Sequence, residues 1–134
     1  MNIYLPALFL FYYLCSVLRN VMKTKQILLI NDMAGYGKVA TAAMLPMLSY
    51  MGHPTYNLPT ALVSNTLDYG KFNIMDTTDY ITGVFPVWKE LGFKFDAIST
   101  GFIVSERQAR IVSTYCREQE AQGTTIFVDP IMGY

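Results

Sequence analysis

The sequence predicts an α/β domain organised around a mostly parallel sheet, and three observations carry that expectation. Residues 27–30 (ILLI) form an apolar run with neither a helical stripe nor polar alternation, the pattern of a strand buried on both faces. A short loop holding Gly35 and Gly37 follows, then an apolar segment of about one helix length from 38 to 51. Further along, apolar runs at 95–100 and 124–128 alternate with capped helical patterns. Such alternation sets strands side by side in one parallel sheet with helices on its faces. Ligands in these sheets sit outside the carboxyl ends of the strands. Asn31, Asp32, Gly35 and Gly37 lie at that end of the first strand.

Each element has its own signals. Segment 38–51 is apolar on nearly every side, Pro46 is expected to kink or divide it, and Gly52 is a good stop. Residues 55–58, bracketed by Pro54 and Pro59, read as a second strand, and residues 60–71 (TALVSNTLDYGK) as a loop. Residues 76–92 read as a helix with Thr77 or Thr78 as cap, Asp79 in the first turn and Gly92 at the end. Val84, Trp88 and Leu91 would form its buried stripe, and Pro86 sits inside it. Residues 95–100 are the third strand, followed by Gly101. Ser105-Glu106-Arg107-Gln108 matches a capping box. It opens an amphipathic helix with Ala109, Val112, Cys116 and Gln119 in one row, Ile111 and Tyr115 beside it, and Gly123 as its stop. The fourth strand, 124–128, runs into Asp129.

Composition narrows the function. The 134 residues suit one small domain, and ten basic residues cancel ten acidic ones. No basic patch is visible, so nucleic acid is not the expected partner. His53 is the only histidine, which excludes a multi-histidine metal site and argues against a Ser-His-Asp arrangement. Cys15 and Cys116 share no metal or redox spacing, and two isolated cysteines fit a reducing, cytoplasmic compartment.

Residues 3–18 carry no charge, yet the run is shorter than the roughly 20 apolar residues of a membrane span. It lacks the basic start and cleavage site of a secretory signal. Residues 1–21 are therefore expected to be an apolar N-terminal extension ahead of a true start at Met22, with residues 22–134 forming the domain. A membrane anchor is the second reading, in which Arg19, Lys23 and Lys25 would hold the rest in the cytoplasm. A packed N-terminal helix is the third. On the first reading a chain starting at Met22 is the more soluble one.

Gly35-Tyr36-Gly37-Lys38-Val39-Ala40 fits G-x-G-x-x-A, but the next strand ends near Leu58 and Pro59 without the acidic residue a dinucleotide site needs. A Walker loop fails because Val39 follows Lys38. Asp32 and Asp129 both fall at carboxyl ends of expected strands, hence on one sheet edge. Carboxylates there hold Mg²⁺ or position a phosphate, and each is equally open to a role as a turn cap.

Five pieces then fall into register. INDMAGYG, AAMLPMLSYMGH, NLPTALVSNTLDYGKF, FDAISTGFI and FVDPIMG occur in this order and spacing in the vitamin B6 kinases. Over about residues 25 to 133 the chain resembles the N-terminal half of a pyridoxal/pyridoxamine kinase of the ribokinase-like superfamily. The resemblance implies a partial three-layer, Rossmann-like fold, truncated at the C-terminus. It implies ATP-dependent phosphorylation of the 5′-hydroxymethyl group of pyridoxal, pyridoxine or pyridoxamine by the intact parent, with ATP and Mg²⁺ as cofactors. Hydroxymethylpyrimidine is the close alternative substrate, and a non-catalytic, truncated ligand-binding fragment the alternative role. A B6 vitamer or pyrimidine, not nucleic acid, is the implied partner, and the intact parent is expected to be a homodimer.

By the same resemblance, Asp32 matches the position whose side chain meets the pyridoxal ring, and Ser64 and Asn65 open the loop that closes on the substrate. Gly101-Phe102 matches a Gly-Tyr pair at the pocket wall, and Asp129 an Asp near the ATP phosphates and metal. Thr66, Leu67, Phe102 and Tyr134 depart from the family's His, Thr, Tyr and second Asp. The family's catalytic Gly-Thr-Gly-Asp belongs to its C-terminal half and does not occur here. No catalytic residue is therefore assigned, and the chain alone is expected to be inactive.

Overall fold

A five-stranded sheet with the order β3-β2-β1-β4-β5 organises the chain, whose residues 24–130 are described in the computed structural model. The elements in sequence are β1 (Ile27–Tyr36), α1 (Ala40–Tyr50), β2 (Thr55–Asn65), a 3₁₀ turn (Leu67–Tyr69) and β3 (Ile74–Asp76), then α2 (Thr78–Glu90), β4 (Ala97–Thr100), α3 (Glu106–Glu120) and β5 (Thr125–Val128). β1 is central and pairs in parallel with β2 and β4; β4 pairs in parallel with β5. Ile27 lies opposite Ala97, and Ala97 opposite Thr125. The three apolar runs expected to be parallel neighbours are so. Only β3 is antiparallel, on the edge beside β2.

The pleat of β1 divides its apolar residues between two faces. Leu28 and Ile30 join Leu58 and Ile98 in a core closed by Ile81, Val84 and Phe85 of α2 and Val112, Tyr115 and Cys116 of α3. Phe85 and Tyr115 stack there with ring centroids 3.9 Å apart. Leu29, one residue out of phase and also buried, faces the other side, where α1 packs on β1 and β2.

Several boundaries differ from the sequence reading. β1 does not end at Ile30 but continues through Asn31 and Asp32 to Tyr36, with a register shift between Asn31 and Met33. β2 likewise runs past Pro59 to Asn65, so 60–65 is strand and not loop. Pro59 lies opposite Asn31, where the ladder shifts, and an irregularity is where a strand tolerates a missing N–H. β3 has no sequence signal because all three of its residues are exposed. α1 continues across Pro46 and is not divided.

α2 ends at Glu90, so Leu91 falls outside it and is exposed; the stripe is Ile81, Val84, Phe85 and Trp88. In α3 the buried row is Gln108, Val112, Tyr115, Cys116 and Gln119, while Ala109 is exposed. The extension at 1–21 and Tyr134 lie outside the described residues. Among those described, no helix is long and apolar enough to cross a membrane.

Candidate functional site

The carboxyl ends of the parallel strands open into a cleft of about 1160 Å³. β1 contributes Asn31, Asp32 and Ala34, β2 contributes Val63 and Asn65, and the segments after β4 and β5 contribute Gly101, Phe102 and Asp129. The start of α1 forms another wall through Val39, Ala40, Ala43 and Met44.

Asp32 is half-buried, and burial raises its carboxyl above the ordinary range, partly offset by a hydrogen bond from its own backbone. Asn31 fastens this corner. Its Oδ1 accepts from the backbone N–H of Asp32 at 2.9 Å and of Phe102 at 2.8 Å. Gly101 makes the approach possible, since a Cβ there would lie 2.3 Å from Asn31 Nδ2. The Phe102 carbonyl accepts from Thr60 Oγ1 at 2.6 Å, so β1 and β2 both hold that residue in place. Asp129 extends the last ladder, its N–H donating to the Thr100 carbonyl at 3.0 Å, and its side chain stays exposed at the cleft.

The loop after β2 is tied down by Asn65. Its Nδ2 donates to the carbonyls of Thr66 and Lys71 at 3.0 and 2.9 Å, and its Oδ1 accepts from Ser64 Oγ at 2.7 Å. Ser64 does not line the cleft; its Oγ also accepts from the Asn73 N–H at 2.8 Å. Strand alternation explains this, because Val63 and Asn65 share the face that Ser64 opposes. Gly37 lets the loop after β1 pass close: its φ is +113°, and a Cβ would meet Thr66 Cγ2 at 2.4 Å.

The fold thus brings Asp32, Asn65, Phe102 and Asp129 to one cleft and leaves Ser64 out. It adds Asp68, which the sequence reading did not name, and Asn31, which that reading placed at the carboxyl edge without giving it a role. A polar residue directly before Asp32 at a strand end was the available signal for Asn31. Asp32, Asp68 and Asp129 line the cleft with no Lys, Arg or His among the described lining residues. Among the described residues there is no group of three or more His, Cys, Asp and Glu that would hold a metal ion.

No protein-family model matches the chain, nor does any curated protein. Solved structures do. A Bacteroides thetaiotaomicron protein described as a phosphomethylpyrimidine kinase, solved with pyridoxal, is 37% identical with a TM-score of 0.78, over 83% of this chain and 39% of that one. Pyridoxal kinase from Lactobacillus plantarum is 27% identical with a TM-score of 0.74, over 82% of this chain and 39% of that one. Pyridoxal kinase from Leishmania donovani, solved with ADP and pyridoxamine, shares the fold at 23% identity and a TM-score of 0.72, over 81% of this chain and 42% of that one. The chain thus spans about two-fifths of the length of the solved structures it matches. Its parallel order, its cleft at the carboxyl edge and these likenesses together give it the fold of part of a ribokinase-like kinase, about two-fifths of one in length.

Proposed function

We propose that the chain forms the vitamin side of a kinase that, when intact, moves the γ-phosphoryl group of ATP to the 5′-hydroxymethyl oxygen of a B6 vitamer. Hydroxymethylpyrimidine is the alternative acceptor. One observation carries the reading: Asp32, Phe102 and Asp129 line a single cleft in a chain 37% identical to a structure holding pyridoxal. In this reading Asp32 and Phe102 flank the heteroaromatic ring, and Asn65 shapes the loop that covers it. Asp129 faces the phosphates. One carboxylate fits Mg²⁺, which usually takes one or two carboxylates and fills its shell with phosphate oxygens and water. When bound, ATP and Mg²⁺ supply the phosphoryl group and neutralise its charge. The setting is the cytoplasm, the partners are small molecules, and the intact parent is a homodimer.

Phosphoryl transfer also needs a base at the acceptor alcohol and donors around the moving phosphate, all held in one geometry. Those groups are assigned to the Gly-Thr-Gly-Asp that this sequence lacks. The 134-residue chain should therefore bind a vitamer or hydroxymethylpyrimidine without turning over ATP. An ATP-turnover assay with pyridoxal, pyridoxine, pyridoxamine and hydroxymethylpyrimidine, beside calorimetric titration of each, tests both halves. Turnover above a blank that Asp129→Ala abolishes refutes the division of labour. Absence of binding by all four overturns the assignment of the cleft.

A further inference from the structure

Asn31 lines the cleft beside Asp32, and its two ends are used differently. Oδ1 accepts two backbone N–H groups, from Asp32 at 2.9 Å and from Phe102 at 2.8 Å. A backbone N–H only donates, so the atom facing both must be the oxygen, and the orientation of the carboxamide is forced. The NH₂ end makes no hydrogen bond among the described residues, and it is not among the polar atoms sealed from solvent. The group is also closely packed and held by two hydrogen bonds. A Cβ on Gly101 would lie at 2.3, 2.4 and 2.5 Å from its Nδ2, Cγ and Oδ1, so the whole carboxamide rests across the glycine backbone. A donor already held in place gives up little freedom when it bonds a ligand. Asn65, the other carboxamide in the cleft, is spent on its own loop.

We propose that Asn31 reads the ligand: Nδ2 donates to an acceptor atom on a heteroaromatic alcohol, a ring oxygen substituent or ring nitrogen, while Oδ1 holds Asp32 and Phe102 in register. This rests on the cleft being the vitamer site. Asn31→Asp separates the two roles, because aspartate keeps the shape and both acceptor bonds and loses only the NH₂. The probe is pyridoxamine at pH 7, titrated calorimetrically into the full chain and its Asn31→Asp and Asn31→Ala variants, with thermal melts of each. A further carboxylate in an acidic cleft favours this cationic ligand, so charge alone predicts tighter binding. The donor role predicts the reverse: Asn31→Asp, which keeps both acceptor bonds, melts above Asn31→Ala and binds about fivefold to tenfold more weakly than the parent chain. Asn31→Ala binds weakly and melts lower. Binding by Asn31→Asp within about twofold of the parent overturns the proposal and leaves the cleft assignment standing. Failure of the parent chain to bind pyridoxamine, pyridoxal or hydroxymethylpyrimidine overturns the assignment, and this inference with it.

Discussion

Replacing Gln108 with leucine should lower the stability of this chain by about 2–3 kcal/mol. Gln108 is fully buried, with 0% exposure, at the first turn of α3. Its Nε2 donates to the Thr60 carbonyl at 2.9 Å and to Thr78 Oγ1 at 3.2 Å, and its Oε1 accepts from the Val104 N–H at 3.1 Å. One side chain thus joins β2, the start of α2 and the approach to α3. Leucine fills nearly the same volume, so the loss is polar, not a cavity. Thr60 O retains a long 3.4 Å bond from the Thr77 N–H, and the half-buried Val104 N–H turns in part to water. Each buried group left unpartnered costs about 1–3 kcal/mol, and the partial replacements bring the sum to about 2–3. With a urea slope of about 2 kcal/mol per molar, the midpoint should fall by about 1–1.5 M. Circular dichroism on the full chain reads this directly. Gln119→Leu is the control: that side chain is also buried on α3, at 6% exposure, yet makes no hydrogen bond among the described residues. It should move stability by no more than about 0.5 kcal/mol. Equal midpoints for the two variants would refute the reasoning.

Three other outcomes follow from the same geometry. Gly37→Ala should cost about 2 kcal/mol, from the positive φ and the clash with Thr66 Cγ2; adding Thr66→Ser removes the clash but not the backbone strain, so a melting scan should show partial recovery. Burial raises the Asp32 carboxyl above its unfolded value of 3.8, so its charge costs stability above the folded-state pKa, and the cost vanishes below the unfolded one. Asp32→Asn should accordingly raise the melting temperature at pH 7 and leave it unchanged near pH 3. Asp76, held ionised by the Thr78 hydroxyl, and Asp96, held by the Gln26 N–H, work in the opposite sense and lose their contribution on acidification. Burial pushes the Cys116 thiol up to about 11, so it should resist a disulfide reagent at pH 8 in the native chain and react once denatured, as read by mass spectrometry of its peptide.

Local pattern was enough to find the strands at 27–30, 95–100 and 124–128, the cap at Ser105 and the stop at Gly123, because each rests on periodicity or on the backbone preference of one residue. The capping box shows the limit. Ser105 Oγ does accept from the Gln108 N–H at 3.2 Å, but the Gln108 side chain reaches Val104, Thr60 and Thr78 and does not close back on Ser105. The extension of β1 through Asn31 and Asp32 was illegible for a similar reason. Polar residues carry no strand signal of their own, and it is the ladder to β2 that keeps them extended.

Asp32, Asn65, Phe102 and Asp129 were named through motif resemblance, and the parallel order of β2, β1, β4 and β5 carries them to one edge. Only the tertiary structure separates Ser64 from Asn65, because the direction of a side chain in a strand depends on the phase of the pleat. Only the tertiary structure shows that Gly101 must lack a side chain, because the atoms that would collide with one belong to Asn31, 70 residues earlier in the chain. A sequence determines which backbone conformations are cheap at each residue; which polar atoms share a hydrogen is decided by elements distant along the chain, once the core has fixed where they stand.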